Sequence, residues 1–182
     1  TTPSVLILGA NGRLGSATTQ AFAAAGWQVR AQSRRARTGW PTGVQTVTAD
    51  ALQPEALCRA ALGVDVIVNA LNPLYTEWGR LARPLAANAL AAAQASGALL
   101  MLPGNVYNFG RELPVSLQED TPQVGNHGKA RIRIEIEEQL RQAAAAGVNS
   151  VVLRCGDFFG GNVRGAWFDL GIAKSLRQGS DK

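Results

Sequence analysis

The residues that build metal and disulfide sites are scarce in this sequence. Its 182 residues include one histidine, His127, and two cysteines, Cys58 and Cys155. A lone imidazole argues against a histidine-based metal centre, and no metal ligands are assigned. Two distant thiols with no Cys-x-x-Cys spacing fit a chain kept reduced, not a disulfide scaffold. Long hydrophobic runs are also missing. The most apolar stretch, residues 85–102, is broken by Asn88, Gln94, Ser96 and Gly97, so it reads as a helix followed by a strand and not as a membrane span. No signal peptide is read, and the expected location is cytoplasmic. Lysine and arginine total 18 against 13 acids, a net charge of +5. Apart from Arg34, Arg35 and Arg37 the basic residues form no cluster, and the few aromatics do not interleave with them. Neither a nucleic-acid partner nor a membrane is therefore expected; the excess charge suits a small anionic partner.

The hydrophobic content, 46%, is enough for one packed core, and two domains would be a tight fit, so residues 1–182 are read as a single domain. Short apolar runs alternate with stretches of helical spacing. Strands are predicted at 4–8, 28–32, 44–48, 64–71, 98–102 and 150–154. Helices are predicted at 14–25, closed by Gly26, at 54–62, followed by Gly63, and at 81–96, ended by Gly97, with Pro84 marking a kink or a start. Residues 131–137, RIRIEIE, alternate as a half-buried strand would. They run directly into EQLRQAAAAG, and Ile132, Ile136, Leu140 and Ala143 fall on one helical stripe, so the segment is predicted to be a helix closing on Gly147. Strands separated by helices predict an α/β fold, a doubly wound parallel sheet with helices on both faces.

The first strand runs into GANGRLG, with Gly9, Gly12 and Gly15, and then into a helix. Gly9 permits a tight turn. Gly12 lets a pyrophosphate approach the backbone with no Cβ in the way, and Gly15 lets the helix pack against the strand. The helix N-terminus adds free N–H groups and a partial positive charge. A glycine-rich turn without a ligand has the same composition, but its place in the first βαβ unit predicts dinucleotide binding in a Rossmann-type sheet, with Asn11, Arg13 and Leu14 completing the loop. An NAD site carries an acid at the end of the second strand, to bind the ribose hydroxyls. Here that strand ends in Ser33, Arg34 and Arg35. Arginines there suit a 2′-phosphate, each charge-assisted bond contributing about 1.5–3 kcal/mol, so NADP is expected in preference to NAD; the alternative is a solvated surface pair. Asp50, after the third strand, is placed to meet the adenine; its alternative is a helix N-cap.

The order GxxGxxG, then Asp50 and Ala51, then VNALNP at residues 68–73 resembles the short-chain dehydrogenase/reductase superfamily, and more narrowly its NAD-dependent epimerase/dehydratase branch and NmrA-like relatives. MLPGNVYNFG at 101–110 and LRCGDFFG at 153–160 are similar to further stretches of that branch. The resemblance adds Ala51, Ala70, Leu71 and Asn72 to the implied cofactor contacts. Those enzymes use Tyr-x-x-x-Lys and a serine. In this register Lys129 stands at the Tyr position, Arg133 at the Lys position and Glu137 where the family often has Glu, while the serine falls at Pro103 or Gly104. Tyr107 belongs to the Val-Tyr-Gly loop and is not the catalytic tyrosine by this register. K-x-x-I-R-x-x-I-E, from Lys129, resembles the isoflavone-reductase-like group, whose lysine lies beside the nicotinamide and serves in proton transfer. A desolvated lysine beside a cationic neighbour titrates closer to neutrality, which such a role requires. The resemblance thus implies Lys129 as catalytic residue; the alternatives are a lysine that only holds the nicotinamide ribose, or a solvated one. It implies an NADP-dependent reductase or epimerase of a small organic substrate. The missing serine and tyrosine favour the alternative, a non-catalytic NADP-binding regulator or redox sensor. Substrate-side elements are expected from about residue 155 onward, and incomplete.

Overall fold

The computed structural model describes residues 2–159 and residue 176. Six strands form one parallel sheet: β1 (Ser4–Leu8), β2 (Gln28–Ser33), β3 (Val44–Thr48), β4 (Val66–Asn69), β5 (Leu99–Gly104) and β6 (Ser150–Arg154), in the spatial order β3-β2-β1-β4-β5-β6. The helices are α1 (Arg13–Ala24), α2 (Pro54–Ala61), α3 (Trp78–Ser96) and α4 (Gly128–Ala144). This is the doubly wound Rossmann order. The chain reverses its winding direction between β1 and β4, which leaves a crevice at their C-terminal ends.

Side chains alternate across each strand, so β1 feeds two cores. Leu6 and Leu8 join Ile67, Leu100 and Leu102 under α2, α3 and α4. Val5 and Ile7 join Val29, Ala31 and Val68 on the opposite face, against Phe22 and Ala23 of α1. Both faces of β1 are thereby fully buried, as an apolar run at the centre of a parallel sheet requires.

The segment RIRIEIE is helical. Ile132, Ile136 and Leu140, spaced by four, are buried against the sheet, while Ile134 is only half-buried. The alternation in the sequence is therefore a by-product of a helical stripe. Strand β4 is shorter than predicted, because residues 64–65 turn into it and 70–71 already belong to the loop above it. Helix α3 begins at Trp78, earlier than predicted, and continues through Pro84. Proline forfeits one hydrogen bond there, but buried Trp78, Ala82 and Ala86 hold the first turns in place. Gly97 ends α3 at φ 73°, a left-handed conformation suited to glycine.

One polar residue ties the central strands together. Gln32 is 1% exposed. Its Oε1 accepts from the Gly9 N–H at 2.9 Å, and its Nε2 donates to the Ala49 carbonyl at 2.7 Å. One amide thus satisfies the glycine loop after β1 and the turn after β3. Gln32→Leu leaves both backbone groups without a partner. At about 1–3 kcal/mol for each buried unsatisfied group, urea denaturation should show a loss of at least about 2 kcal/mol.

Candidate functional site

The crevice above β1 and β4 is shaped by close backbone approaches. Gly9 sits at φ 76°, and a Cβ there would lie 3.1 Å from the Ala70 carbonyl oxygen. A Cβ on Gly15 would lie 2.2 Å from the Gly9 oxygen, so α1 packs directly on the turn. Gly12 differs: a Cβ there would meet only the Gly9 oxygen, at 3.2 Å. Gly12 is exposed and is the N-cap of α1, which has no side-chain cap and no acid in its first turn. The open backbone cradle and uncapped N–H groups fit a pyrophosphate. Asn11 does not face this cradle with its amide; its Nδ2 donates to the Arg35 carbonyl at 2.9 Å, which also accepts from Ser33 Oγ at 2.7 Å. Asn11 and Ser33 therefore fix the loop that carries Arg34 and Arg35. Both arginines are exposed, and their guanidinium groups make no hydrogen bond or ion pair among the described residues. Arg37, not assigned from the sequence, donates to Ser16 Oγ at 3.0 Å and stacks on Trp40 at 4.3 Å, so a third cation borders the helix start. Arg13 and Leu14, in the first turn of α1, are partly buried.

Asp50 does not cap α2, whose N-cap is Gln53. Instead its Oδ1 accepts from the Leu52 N–H at 3.0 Å and closes the turn before that helix. Ala51 is buried, and its carbonyl accepts from Asn88 Nδ2 at 2.9 Å. Ala70, Leu71 and Asn72 form the loop after β4, where Leu71 N–H donates to Asn69 Oδ1 at 3.3 Å. Leu71, Asn72 and Arg133 line a small cavity beside this loop together with Trp78. The Arg133 guanidinium packs on the Trp78 ring at 4.8 Å, while its buried Nε has no partner. Burial, ahead of any charge, pulls the Arg133 pKa below the usual arginine value; Glu137 opposes the shift.

Lys129 is half-buried at the start of α4. Its Nζ lies 3.6 Å from the ring centroid of Tyr75, on the short 3-10 turn Tyr75–Glu77 after β4. The Tyr75 hydroxyl meets the Tyr107 hydroxyl at 3.3 Å. These two are the only tyrosines in the sequence. Tyr107, on the turn Tyr107–Phe109 after β5, also packs edge-on against His127 at 5.8 Å. At the expected serine position, a Cβ on Gly104 would lie 2.8 Å from Val152 Cγ1 and 3.0 Å from Arg154 Nη1. A residue larger than glycine there would displace those two side chains of the neighbouring strand.

Glu137 shares the helix face of Lys129 and Arg133, as predicted, but its partner is Arg154. The two form a bidentate pair at 2.7 and 2.8 Å, with the Glu137 side chain 4% exposed. Gln123 Nε2 donates to the same carboxylate at 2.8 Å, and Asn108 Nδ2 donates to Gln123 Oε1 at 3.0 Å. Gly125 wedges between Tyr107 and Ala130, where a Cβ would lie 2.4 Å from the Tyr107 carbonyl oxygen. This network holds the Tyr107 turn against the start of α4. Sequence reasoning singled out neither Tyr75 nor Arg154 as a site residue. Their roles depend on contacts across 54 and 17 residues of sequence, to Lys129 and Glu137. Beyond Gly160, the expected substrate-side elements lie outside the described residues. Among the described residues no helix is long and apolar enough to cross a membrane, and no group of His, Cys, Asp or Glu side chains is arranged to hold a metal.

A family model described as NAD(P)H-binding matches residues 9–163. No curated protein matches. Solved structures do. A short-chain dehydrogenase/reductase superfamily protein from Agrobacterium tumefaciens with bound NAD is 24% identical, with a TM-score of 0.67 over 83% of this chain and 48% of its own. UDP-glucose 4-epimerase from Brucella ovis with NAD is 18% identical, with a TM-score of 0.74 over 84% and 51%. The Bordetella bronchiseptica enzyme WbmG with NAD is 18% identical, with a TM-score of 0.83 over 100% and 62%. At these identities the likeness concerns the fold, and this chain spans 48–62% of the length of those proteins.

The tyrosine pair has a titration signature. The Tyr107 phenol is pushed up from 10.0 to about 12, first by its hydrogen bond with Tyr75, then by partial burial. The charges of Tyr75 and Asp157 act in the same direction and Arg133 against them. A raised folded-state pKa stabilises the fold below the unfolded value, and that contribution is lost as pH rises through the folded value. Stability should therefore fall between about pH 10 and 12. Following the urea midpoint over that range should show a smaller fall in Tyr75→Phe than in the parent.

Proposed function

The chain belongs to the NAD(P)H-binding family, and from that premise we propose that it is an NADPH-dependent oxidoreductase or epimerase acting on a small organic substrate. The observation that carries this reading is the open cradle at Gly12 below an uncapped helix, with arginines and no acid at the end of β2. In this reading Gly9, Gly12 and the first N–H groups of α1 hold the pyrophosphate. Arg34 and Arg35 take the 2′-phosphate, Asp50 and Ala51 border the adenine, and the 70–72 loop borders the nicotinamide side. A bound reduced nicotinamide supplies two electrons and a hydrogen to a substrate carbon. Lys129 is the cation of the accompanying proton transfer, at the position the resemblance gives to tyrosine. Its Nζ lies over the Tyr75 ring face, 3.6 Å from the centroid, and a positive charge there stabilises negative charge developing at the reacting oxygen. The glycine at residue 104, which offers no hydroxyl at the serine position, supports the second reading, an NADP-binding regulator without turnover.

Calorimetry should find NADPH bound more tightly than NADH. Arg34→Ala should weaken NADPH by about ten- to a hundredfold, the loss of one charge-assisted bond, and leave NADH nearly unchanged; equal affinities in the parent contradict the NADP assignment. Gly12→Val should abolish NADPH binding in a protein that still folds, with a slightly lowered thermal midpoint, since the added Cβ meets only the Gly9 carbonyl oxygen, at 3.2 Å, and valine is a poor N-cap.

Lys129→Ala separates two roles for that lysine. Loss of a group active in proton transfer lowers turnover by about 10²–10⁴-fold with little change in NADPH affinity. A ribose-holding lysine shows the reverse: weaker NADPH binding, with turnover restored at saturating cofactor. Parent protein that binds NADPH but oxidises it with no carbonyl compound of a broad panel favours the regulator.

A further inference from the structure

We propose that Tyr75, from the loop after β4, is the proton donor to the substrate oxygen, with Tyr107 and Lys129 as the groups that hold its phenolate. The inference rests on the oxidoreductase reading above and replaces a residue which the resemblance places on α4. Three elements converge on one phenol. Lys129 of α4 sets its ammonium on the ring face, 3.6 Å from the centroid. Tyr107, after β5, sets its hydroxyl 3.3 Å from the Tyr75 oxygen. Tyr75 itself is 43% exposed, in the loop after β4 and three residues after Asn72, whereas Tyr107 is half-buried.

The arrangement supplies what a phenolic acid needs. A cation lies against its ring face and a second hydroxyl lies within hydrogen-bond distance of its oxygen. The titratable and charged groups about the pair are Lys129, His127 and Arg133 of α4, and Asp157 after β6. Tyr107, held up to about 12, keeps its proton across the working range and remains a donor. The step balances. The substrate C=O π bond breaks as its carbon accepts two electrons and a hydrogen from reduced nicotinamide. The oxygen takes the Tyr75 proton, and the phenolate left behind regains one from solvent.

Because the chain holds only these two tyrosines, tyrosinate absorbance reads the pair without interference. It is recorded in a rapid pH jump, before unfolding sets in, on the parent, Tyr75→Phe, Tyr107→Phe and Lys129→Met. NADPH affinity is measured by calorimetry, and NADPH oxidation is followed with phenanthrenequinone as carbonyl probe. The expected results are two separate ionisation steps in the parent, with the lower one moved to higher pH by Lys129→Met. Tyr75→Phe should lower turnover by about 100-fold or more at unchanged NADPH affinity, and Tyr107→Phe should lower it less. Parent-like turnover in Tyr75→Phe, or tyrosinate steps that ignore Lys129→Met, overturns the proposal. A parent that binds NADPH but leaves the quinone unreduced also overturns it, while the cofactor reading stands. A parent that binds no NADPH overturns the oxidoreductase reading, and the proposal falls with it even if the tyrosinate steps respond to Lys129→Met.

Discussion

Helix α1 rests on the end of β1 with so little clearance that residue 15 has no space for a side chain. The would-be Cβ of Gly15 overlaps the Gly9 carbonyl at 2.2 Å, and the alternative to glycine is a displaced helix. Much follows from that contact. It aims the first turn of α1 at the crevice, and it presses the turn at Gly9 against Ala70 in the loop after β4. Gln32 then locks the same turn to β3 through its two amide bonds. The packing of the sheet thus dictates where the uncapped backbone N–H groups at the start of α1 lie.

The other half of the site is held by charge. Glu137 and Arg154 join α4 to β6 from within the protein, and Gln123 and Asn108 extend the pair to the Tyr107 turn. Removing one partner of such a buried pair costs about 3–5 kcal/mol, because the other charge is left without compensation. That cost gives the start of α4 a fixed address relative to the loops after β4 and β5. Lys129 and Tyr75 meet because those two loops and that helix are fixed together.

The sheet and the glycine loop were legible because their signals are local. SVLIL followed by GANGRLG carries strand, turn and helix in adjacent residues, and the stripe Ile132–Ile136–Leu140 outweighs the apparent period of two in RIRIEIE. Boundaries were less legible where tertiary packing overrode local chemistry, as in the helical turns ahead of Pro84, held by buried Trp78 and Ala82. Asp50 was read as an adenine contact, with a helix N-cap as the alternative; the N-cap of α2 is Gln53, and the Asp50 carboxylate closes the turn at Leu52, a local contact that the sequence does not distinguish from a cap. Glu137 was read on the right face with no partner in view. Tyr75 left no trace in sequence, because LNPLYTEW resembles any loop until the fold brings α4 against it.

We propose that the turn from Gly9 to Gly15 is a cofactor cradle of backbone N–H groups. Amide hydrogen exchange of the intact chain, with and without saturating NADPH, addresses those groups directly. Protection should appear at the amides of residues 12–15 and in the loop carrying Arg34 and Arg35. NADPH that leaves the exchange of residues 12–15 unchanged, or that protects only amides elsewhere in the sheet, contradicts the account.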